Sequence, residues 1–592
     1  MVLSSLSRAH FPLVPPLLTD HLSPKANFKY DHYVGWQYMS QDSRRLAVDA
    51  ATDRRQLLKM SGALGAFAFT SGLAGCVGGD GEEDDDGEEG REIPDDGDVP
   101  RGGHFEVGGD QDIASMVPYT GFTADYIVTE AMYDRLTTVD EDFNVQPNLA
   151  EDWARNDEAT VWTFELTEDA TFANLDDEQV TADDVVASYE HLASDDVTPR
   201  ETESIDGIED VTAVDEQTVE ISLASPDLQF PLGLCNPGGV FFIMPKTVLD
   251  DDPSRLEDTD YGTGPFTLVE WEQQNFIRFE AKDSYHREGA DGEPLPYVDE
   301  YTWDIIPDGI QRANSMADGA IDAVHRVPKG LTERFESSDV VPERITGEQL
   351  PIILDTEIEP FDDVRVRQAI KHALDRSEFD AALEIETSFG LHSGITPIHD
   401  HYNDDLSIDE PFGITAQPDE ARDLLSEAGY EDGFDVQTFY YDDGYAQKET
   451  IAQLFQQQMA EVGIEFDIQR LTQEEWLADY WNQDGEWYVS NYSTRTTDIT
   501  VPALALQSEG AWNEANWSND EYDEAYQAAA NATDEETLSE NLRRMQEINH
   551  EEGAWLGTIH PHWNGGHKDY VLGYDLYPTM SIDFLSECAL DQ

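Results

Sequence analysis

The sequence predicts an α/β fold, because helix-like and strand-like patterns alternate along its second half. Apolar residues recur at helical spacing over 451–462, and Gly463 then ends that pattern. Alternating apolar positions follow directly over 464–468, as expected of a strand. Two further helices are predicted at Arg365–Leu374 and Ala421–Ala428. Strands interleaved with helices are typical of α/β domains.

The first half of the chain also contains clear strand and helix signals. Val161–Leu166 and Thr218–Leu223 alternate between apolar and polar residues, which predicts two strands with one buried face. Between them, Thr181 is a suitable helix N-cap. Asp183 and Asp184 follow in the first turn, where a negative charge interacts favourably with the helix dipole. We therefore predict a helix that begins after Thr181.

Length and composition limit the classes of protein to consider. The 592 residues suffice for two to four domains, and 39% hydrophobic residues are too many for a disordered acidic chain. With 126 Asp+Glu against 34 Lys+Arg, the net charge is −92, which would repel nucleic-acid phosphates. Such repulsion is tolerable at molar salt, where the Debye length is about 3 Å. The composition predicts a halophilic protein; an acidic partner-binding surface is the alternative.

The N-terminal region has the pattern of an export signal. Arg54 and Arg55 form a twin-arginine stretch, and Met60–Ala74 follows as a run of 15 small and apolar residues. Such a run spans only about 22 Å as a helix, too short for a bilayer core of about 30 Å. We therefore predict a Tat-type signal peptide rather than a membrane anchor.

The signal ends in a sequence like a lipobox, Leu73–Cys76, which predicts lipid attachment at Cys76. Residues 1–76 are then the signal region, and residues 77–100 form an acidic, extended tether. A start at Met39 would give a signal of ordinary length, so a further hypothesis is that residues 1–38 are not translated. Beyond Cys76 only Cys235 and Cys588 remain, and their separation leaves both a disulfide and two free thiols open.

Three stretches together resemble one family. They are Gln146–Trp153 with the strand after it, Gly262–Phe266, and Pro360–Ile370 with Asp375-Arg376, and Asn516–Asn519 adds a weaker match. In this order, from about residue 101 to the end, the chain resembles the extracellular solute-binding proteins, family 5. These proteins serve dipeptide, oligopeptide and nickel ABC importers, and within the family this chain resembles a haloarchaeal-type lipoprotein.

The resemblance implies a two-lobe fold of the periplasmic-binding-protein kind, with an extra inserted domain and hinge closure around the ligand. The implied boundaries place 101–140, 261–345 and 556–592 in lobe I, 141–260 in the inserted domain, and 346–555 in lobe II.

The resemblance also points to a binding segment between Trp487 and Asp498. Peptide-binding relatives hold the ligand's amino group with an aspartate three residues after an aromatic residue. If Tyr492 is that aromatic residue, Arg495 occupies the aspartate position, and a guanidinium there favours a carboxylate or phosphate on the solute. If the alignment shifts by three, Asp498 binds an amine instead. A structural alternative pairs Arg495 with Asp498 or another acid at a domain seam.

Aromatic residues are dense around this segment, and about half of them are expected in the core. We predict that Trp487 and Tyr492 contribute apolar walls to the pocket. Tyr119 lies where relatives place a ligand-facing loop, and it completes the predicted ligand-binding residues. The remaining aromatic residues of this stretch are Trp476, Tyr480, Trp481 and Tyr488.

The resemblance implies the extracytoplasmic substrate-binding component of an ABC importer, taking up a peptide or peptide-like, anionic solute. Its partners would be an ABC permease with ATPase subunits and, through the lipid anchor, the outer face of the cytoplasmic membrane. We expect a monomer that binds no nucleic acid. A sensor or chaperone-like binder, or a nickel-chelate binder, is the alternative.

Catalysis and metal binding have little support in the sequence. It contains no phosphate-binding loop, nucleophile elbow or HExxH motif, so we expect no enzyme, no cofactor and no metal. The histidines at 560, 562 and 567, and those at 392, 399 and 401, match no reliable metal-ligand spacing and are interpreted as structural.

Overall fold

The computed structural model describes residues 93–94 and 98–592, except 121–122, 141–142, 177, 195–196, 198–204, 206, 236–238, 336–337, 384, 386, 390–392, 404–405, 407–410, 446, 484 and 577–582. The predictions for Arg54, Arg55, Cys76, the signal region and most of the tether lie outside the described residues. Within them, no helix combines the length and the apolar character needed to cross a membrane.

Strands and helices alternate along most of the described chain. The strands are β1 (His104–Gly109), β2 (Thr137–Val139), β3 (Val145–Pro147), β4 (Ala150–Arg155), β5 (Val161–Leu166), β6 (Ile208–Ala213), β7 (Thr218–Leu223), β8 (Phe266–Glu272), β9 (Phe276–Ala281), β10 (Glu300–Ile305), β11 (Ala323–Val324), β12 (Glu343–Ile345), β13 (Ile352–Ile353), β14 (Thr387–Phe389), β15 (Phe434–Asp435), β16 (Phe439–Asp442), β17 (Ile464–Glu465), β18 (Ile468–Leu471), β19 (Tyr488–Val489), β20 (Trp555–Leu556), β21 (Ile559–Asn564), β22 (Gly566–His567), β23 (Val571–Leu572) and β24 (Ala589–Leu590).

The α-helices are α1 (Thr123–Met132), α2 (Ala182–Leu192), α3 (Phe230–Gly233), α4 (Lys246–Asp251), α5 (Gly309–Ala317), α6 (Lys329–Thr332), α7 (Val364–Ala373), α8 (Arg376–Ala382), α9 (Pro418–Ala428), α10 (Gln447–Glu461), α11 (Gln473–Asp479), α12 (Asp520–Ala530) and α13 (Glu535–Glu552). Short 3₁₀ turns lie at Pro253–Glu257 and Asp583–Glu587, and a π-helical turn at Pro502–Leu506.

A six-stranded sheet in the order β22-β11-β1-β10-β9-β8 draws on widely separated parts of the chain. Strand β1 runs parallel to both β10 and β11, so the carboxyl ends of these three strands lie at one edge of the sheet. Asp110 follows β1 at this edge, and His325 and Arg326 follow β11. In open α/β sheets this edge is where ligands bind.

The segment between 150 and 223 forms a four-stranded antiparallel sheet, β4-β5-β7-β6. Both strands predicted there are confirmed as β5 and β7. The predicted helix is α2, and the backbone N–H and hydroxyl of Thr181 both donate to Asp184 at 2.8 Å. Asp184 is buried and also accepts from the N–H of Lys246, so it joins two helices as well as capping one.

A five-stranded mixed sheet, β18-β16-β19-β13-β20, lies in the second half of the chain. The three predicted helices are confirmed as α7, α9 and α10, and Gly463 ends the last of them with φ +87°. Residues 464–468, however, form two short strands instead of one. Strand β17 pairs with β15 and strand β18 with β16, so the chain changes partners between them.

Two large apolar cores accompany these sheets. One contains buried residues from 105–305 and 571–590, and the other buried residues from 350–559. Strand β21 begins at Ile559 in the second core, and β22, which follows it, pairs with β11 in the six-stranded sheet, so this stretch links the two parts. The predicted multi-domain α/β architecture is therefore confirmed, while the domain boundaries drawn above stay a prediction.

The Gly262–Phe266 motif is explained by close packing against the end of α1. The N–H of Gly264 donates to the carbonyl of Met132 at 2.7 Å. A methyl group built on Gly264 would lie 2.6 Å from the carbonyl carbon of Met132, and one on Gly262 would lie 1.9 Å from its oxygen. Only glycine permits this approach. Cys235 and Cys588 are both buried, and they do not form a disulfide with each other.

Candidate functional site

The predicted binding segment begins in the five-stranded sheet and ends against a distant turn of the chain. Strand β19 lies in the middle of that sheet, and Tyr492 then exchanges backbone hydrogen bonds with Gln349. Further on, the hydroxyl of Thr496 donates to the carbonyl of Leu232 at 3.0 Å, and Gln229 donates to Asp498. We call residues 492–498 the seam segment, because they join the second core to the turn at 229–234.

The carboxylate of Asp498 accepts three hydrogen bonds from other parts of the protein. Its side chain is 2% exposed and accepts hydrogen bonds from Gln229 Nε2 at 2.5 Å, from His401 Nδ1 at 2.9 Å and from the His401 N–H at 3.2 Å. Burial raises the pKa of Asp498, but the hydrogen bond from His401 and the nearby imidazoles outweigh it and lower the pKa overall. An ammonium group would have to displace these donors to reach the carboxylate.

His401 is held between two carboxylates. Its Nδ1 lies 2.9 Å from Asp498 and its Nε2 lies 2.6 Å from Glu535 on α13. Burial alone would lower the pKa of His401, but the two carboxylates raise it to about 9. The imidazole is therefore charged at neutral pH and forms an ion pair with Asp498.

Arg495 is buried at the seam. Its side chain is 7% exposed, and Nη1 donates to the neutral oxygens Ser493 Oγ at 2.6 Å and Thr494 O at 3.2 Å. His399 Nδ1 accepts the N–H of Thr396, so its Nε2 carries the proton that is donated to the Arg495 carbonyl at 2.9 Å. The backbone of Arg495 is thereby fixed.

Tyr492 lies in a buried polar cluster behind the seam segment. Its hydroxyl donates to the carboxylate of Glu514, which also accepts from Ser490 Oγ at 3.0 Å. Burial raises the pKa of both Tyr492 and Glu514. The ring of Tyr492 packs on Trp555, with 4.6 Å between ring centroids. A small cavity beside it has room for about one water molecule.

Trp487 belongs to the core rather than to a pocket wall. It is 0% exposed, and its indole N–H donates to the carbonyls of Gln437 and Thr438, both at 3.1 Å. Its ring packs on Phe466 and Phe439, at centroid distances of 4.6 and 4.9 Å. The position offers no surface to a ligand, so we do not include Trp487 in the proposed site.

Tyr119 is half-buried beside α2. Its hydroxyl lies 3.0 Å from His191 Nε2, and the two rings are 5.2 Å apart. Burial raises the pKa of Tyr119 and lowers that of His191. The described contacts of Tyr119 are thus with α2 rather than with the seam segment, and its role as a ligand contact stays a prediction.

Sequence reasoning missed several residues of this region. Gln229 belongs to no recognised motif, and His401 was interpreted only as structural. Arg326 and Glu348 were not singled out at all, although the position of Arg326 just after a buried strand was an available signal. His560, which was expected to be structural, hydrogen-bonds through Nδ1 to the carbonyl of Glu348 at 3.3 Å. Within the described chain, no group of three or more His, Cys, Asp or Glu side chains is arranged to hold a metal ion.

Comparisons with known proteins agree with this architecture. The model of bacterial extracellular solute-binding proteins, family 5 Middle, matches residues 144–514. The glutathione-binding protein GsiB of Salmonella paratyphi A is 23% identical over 479 residues, covering 78% of this chain and 90% of that protein. Haem-binding protein A of Haemophilus influenzae is 25% identical over 500 residues, covering 77% of this chain and 87% of that protein.

The structure of the periplasmic binding protein DppA of Helicobacter pylori, in complex with the peptide STSA, superimposes with a TM-score of 0.66. The two chains are 20% identical, and the match covers 83% of this chain and 99% of DppA. The family model alone covers more than half of the sequence. The chain belongs to the bacterial extracellular solute-binding proteins of family 5.

Proposed function

We propose that this protein is the substrate-binding component of an ABC importer that captures a peptide-like solute and delivers it to a permease. Family membership and the α/β parts linked through β21 and β22 support this role. The related proteins named above bind glutathione, haem or a peptide. Binding and delivery need no catalysis by this chain, and ATP hydrolysis belongs to a partner subunit. Cys76 would anchor the mature protein to the outer face of the membrane.

The solute carries an anionic group that contacts Arg495. The observation that supports this assignment is the contrast between two neighbouring buried charges. Asp498 accepts three hydrogen bonds from the protein and pairs with His401, so it offers little to a solute amine, whereas Arg495 places a buried guanidinium in the same segment. A guanidinium in a buried site binds a carboxylate in a bidentate manner. A carboxylate of the solute would therefore form a charge-assisted hydrogen bond with Arg495.

The turn at 229–234 closes over the seam segment. Gln229 and the carbonyl of Leu232 contact Asp498 and Thr496 directly, and Gly233 packs near the side chain of Thr497. These contacts join parts of the chain that a hinge motion would separate. Closure would therefore exclude water from Arg495 and strengthen its interaction with the solute.

The first experiment is native mass spectrometry of the protein purified in high salt, to identify a co-purified solute. Isothermal titration with glutathione and short peptides then compares wild type with Arg495→Gln. We expect Arg495→Gln to weaken binding of an anionic solute about 10- to 100-fold. Arg470→Gln is the control, because Arg470 is exposed and pairs only with Asp443 in the described chain. A solute without an anionic group, or unchanged affinity of Arg495→Gln, would contradict the assignment.

A further inference from the structure

A second pair of opposite charges lies where the carboxyl edge of the six-stranded sheet meets strand β21. Arg326 follows β11 at this edge, and its guanidinium carbon lies 3.9 Å from the ring centroid of Trp563 on β21. The indole N–H of Trp563 donates to the carboxylate of Glu348 at 3.4 Å. One tryptophan thus has Arg326 over its ring and Glu348 at its N–H.

The guanidinium of Arg326 has donors that the described protein does not satisfy. Its side chain is 18% exposed, and its Nε and Nη2 atoms are buried with no hydrogen-bond partner within the described residues. Asp110 Oδ2 lies 4.0 Å from Nη1, at the limit of an ion pair. Buried polar atoms normally have partners, so two unpartnered donors on one guanidinium indicate a place for an acceptor.

The backbone of Arg326 is held in an uncommon conformation by a second arginine. Arg326 has φ +52°, in the left-handed region that non-glycine residues rarely occupy. Arg312 on α5 donates to the carbonyls of His325 at 3.1 Å, Arg326 at 2.5 Å and Ile306 at 2.6 Å. Strained conformations that the surroundings enforce in this way are concentrated at functional sites. Arg312 is thus a positioning residue that directs Arg326 onto Trp563.

Glu348, the acidic residue of this pair, has a buried carboxyl group. It is 7% exposed, and no ion pair joins it to Arg326 within the described chain. Burial raises the pKa of Glu348, and the positive charge of Arg326 opposes that rise. A cation placed beside Glu348 would remove the cost of ionising it.

The Arg326–Glu348 pair is continuous with the seam segment. Gln349, the next residue, exchanges backbone hydrogen bonds with Tyr492. On the other side, a methyl group at Gly347 would lie 2.8 Å from Cγ2 of Thr494, the residue before Arg495. The backbone on both sides of Glu348 therefore contacts the seam segment.

We propose that Arg326 and Glu348 bind an amino-acid-like head group of the solute, with the carboxylate on Arg326 and the adjacent ammonium on Glu348. Trp563 holds the two groups of this subsite together, with Arg326 over its ring and Glu348 at its N–H. The inference rests on the proposed function and adds the substrate class: a zwitterionic head group, with a distal anionic group at Arg495. Neither charge of the pair then remains buried without a partner, which is the condition for a favourable buried ion.

Three probes test the assignment on the full-length protein in high salt by isothermal titration. Glutathione has an ammonium beside a carboxylate at its head and a second carboxylate at its distal end. Its N-acetyl derivative lacks the head ammonium, and its glycyl ethyl ester lacks the distal carboxylate. We expect the N-acetyl derivative to bind wild type at least about 10-fold more weakly than glutathione.

The variants identify which residue contacts which group. Glu348→Gln should lower the affinity for glutathione about 10-fold and change the affinity for the N-acetyl derivative by no more than about twofold. Arg326→Gln should lower the affinity for both probes about 10-fold or more, and Arg326→Lys should keep part of that affinity. Glu521→Gln and Arg470→Gln are exposed controls. Thermal unfolding of each variant in the same salt confirms that it is folded.

The outcomes separate the head-group assignment from the proposed function. If Arg495→Gln weakens glutathione but Arg326→Gln and Glu348→Gln do not, the seam segment binds the solute and the head-group subsite is wrong. If Glu348→Gln lowers the affinity for glutathione and for the N-acetyl derivative by the same factor, the head-group assignment is also overturned. Glu348 would then not contact the ammonium group, which only glutathione carries. If wild type binds none of the three probes, both the peptide-like solute and the head-group subsite are wrong.

Discussion

The side-chain amide of Gln229 donates to the buried carboxylate of Asp498 at 2.5 Å, across 269 residues of sequence. Gln229 lies directly before α3, and Asp498 lies at the end of the seam segment. Beyond Asp498 the contacts continue through His401 to Glu535 on α13. This chain of polar contacts connects the turn at 229–234 with the second core.

Gln229→Ala should destabilise the closed state. The variant removes a hydrogen bond to a charged group but leaves the seam segment itself intact. We expect the affinity for the solute to fall about 3- to 10-fold, mainly through faster dissociation. Stopped-flow measurement of the dissociation rate checks this, with Gln453→Ala on the exposed face of α10 as the control. An unchanged dissociation rate would show that Gln229 makes no contribution to closure.

His401→Gln should make stability less dependent on pH between neutral and alkaline conditions. The pKa of His401 is raised from 6.5 to about 9 in the folded protein, so its stabilisation is complete below pH 6.5 and is lost as pH rises through 9. The pKa of Asp498 is lowered, so its contribution is present above 3.8 and lost in acid. Denaturant unfolding at about pH 6, 8 and 10 measures the free energy of unfolding of both proteins. The amount by which wild type exceeds His401→Gln should decrease as the pH rises. A constant difference across this range would contradict the ion-pair arrangement.

Lys448→Met should be strongly destabilising. Lys448 is fully buried, pairs with Asp442 and donates to Asn491 Oδ1 at 2.7 Å, next to the seam segment. Removing the lysine leaves the Asp442 carboxylate buried without its cation, which costs about 3–5 kcal/mol. Unfolding in guanidinium chloride measures the loss, and Lys246→Met in an exposed ion pair with Asp250 is the matched control. The double variant with Asp442→Asn should recover part of the stability, and a loss equal to the control would refute the prediction.

The substitution Trp487→Ala tests whether this residue belongs to the core or lines the ligand pocket. Because Trp487 packs among buried phenylalanines in the five-stranded sheet, we expect unfolding to become easier by about 3–5 kcal/mol. The milder Trp487→Phe should keep solute affinity close to that of wild type. Titration of that variant is the decisive measurement, since a loss of affinity in a stable, folded protein would restore Trp487 to the binding site.

Cys76→Ser should release the protein from the membrane. If Cys76 carries the lipid, the variant will appear in the soluble extracellular fraction, while Arg54→Lys with Arg55→Lys will retain the precursor inside the cell. Cell fractionation and intact-mass measurement of the mature protein check both outcomes, and Cys235→Ser serves as the control because that thiol is buried. A mature mass without a lipid adduct at Cys76 would rule out this form of anchoring.

Local patterns in the sequence were sufficient for much of the secondary structure and for the family. Strands β5 and β7 and helices α7, α9 and α10 lie where alternation and helical spacing predicted them. The Thr181 cap and the stop at Gly463 are also confirmed. These features depend on residues within a few positions of one another, so the sequence alone contains the physical information that determines them.

Only the tertiary structure decided which charges meet. The sequence left Arg495 and Asp498 as alternatives, and the fold gives Asp498 to His401 and Gln229. It directs the guanidinium of Arg367 to the backbone carbonyls of Phe361 and Glu552. It also brings Arg326 and Glu348 to one tryptophan. Each of these contacts joins residues from different strands or helices, and its energy depends on distance and burial, which no local pattern specifies.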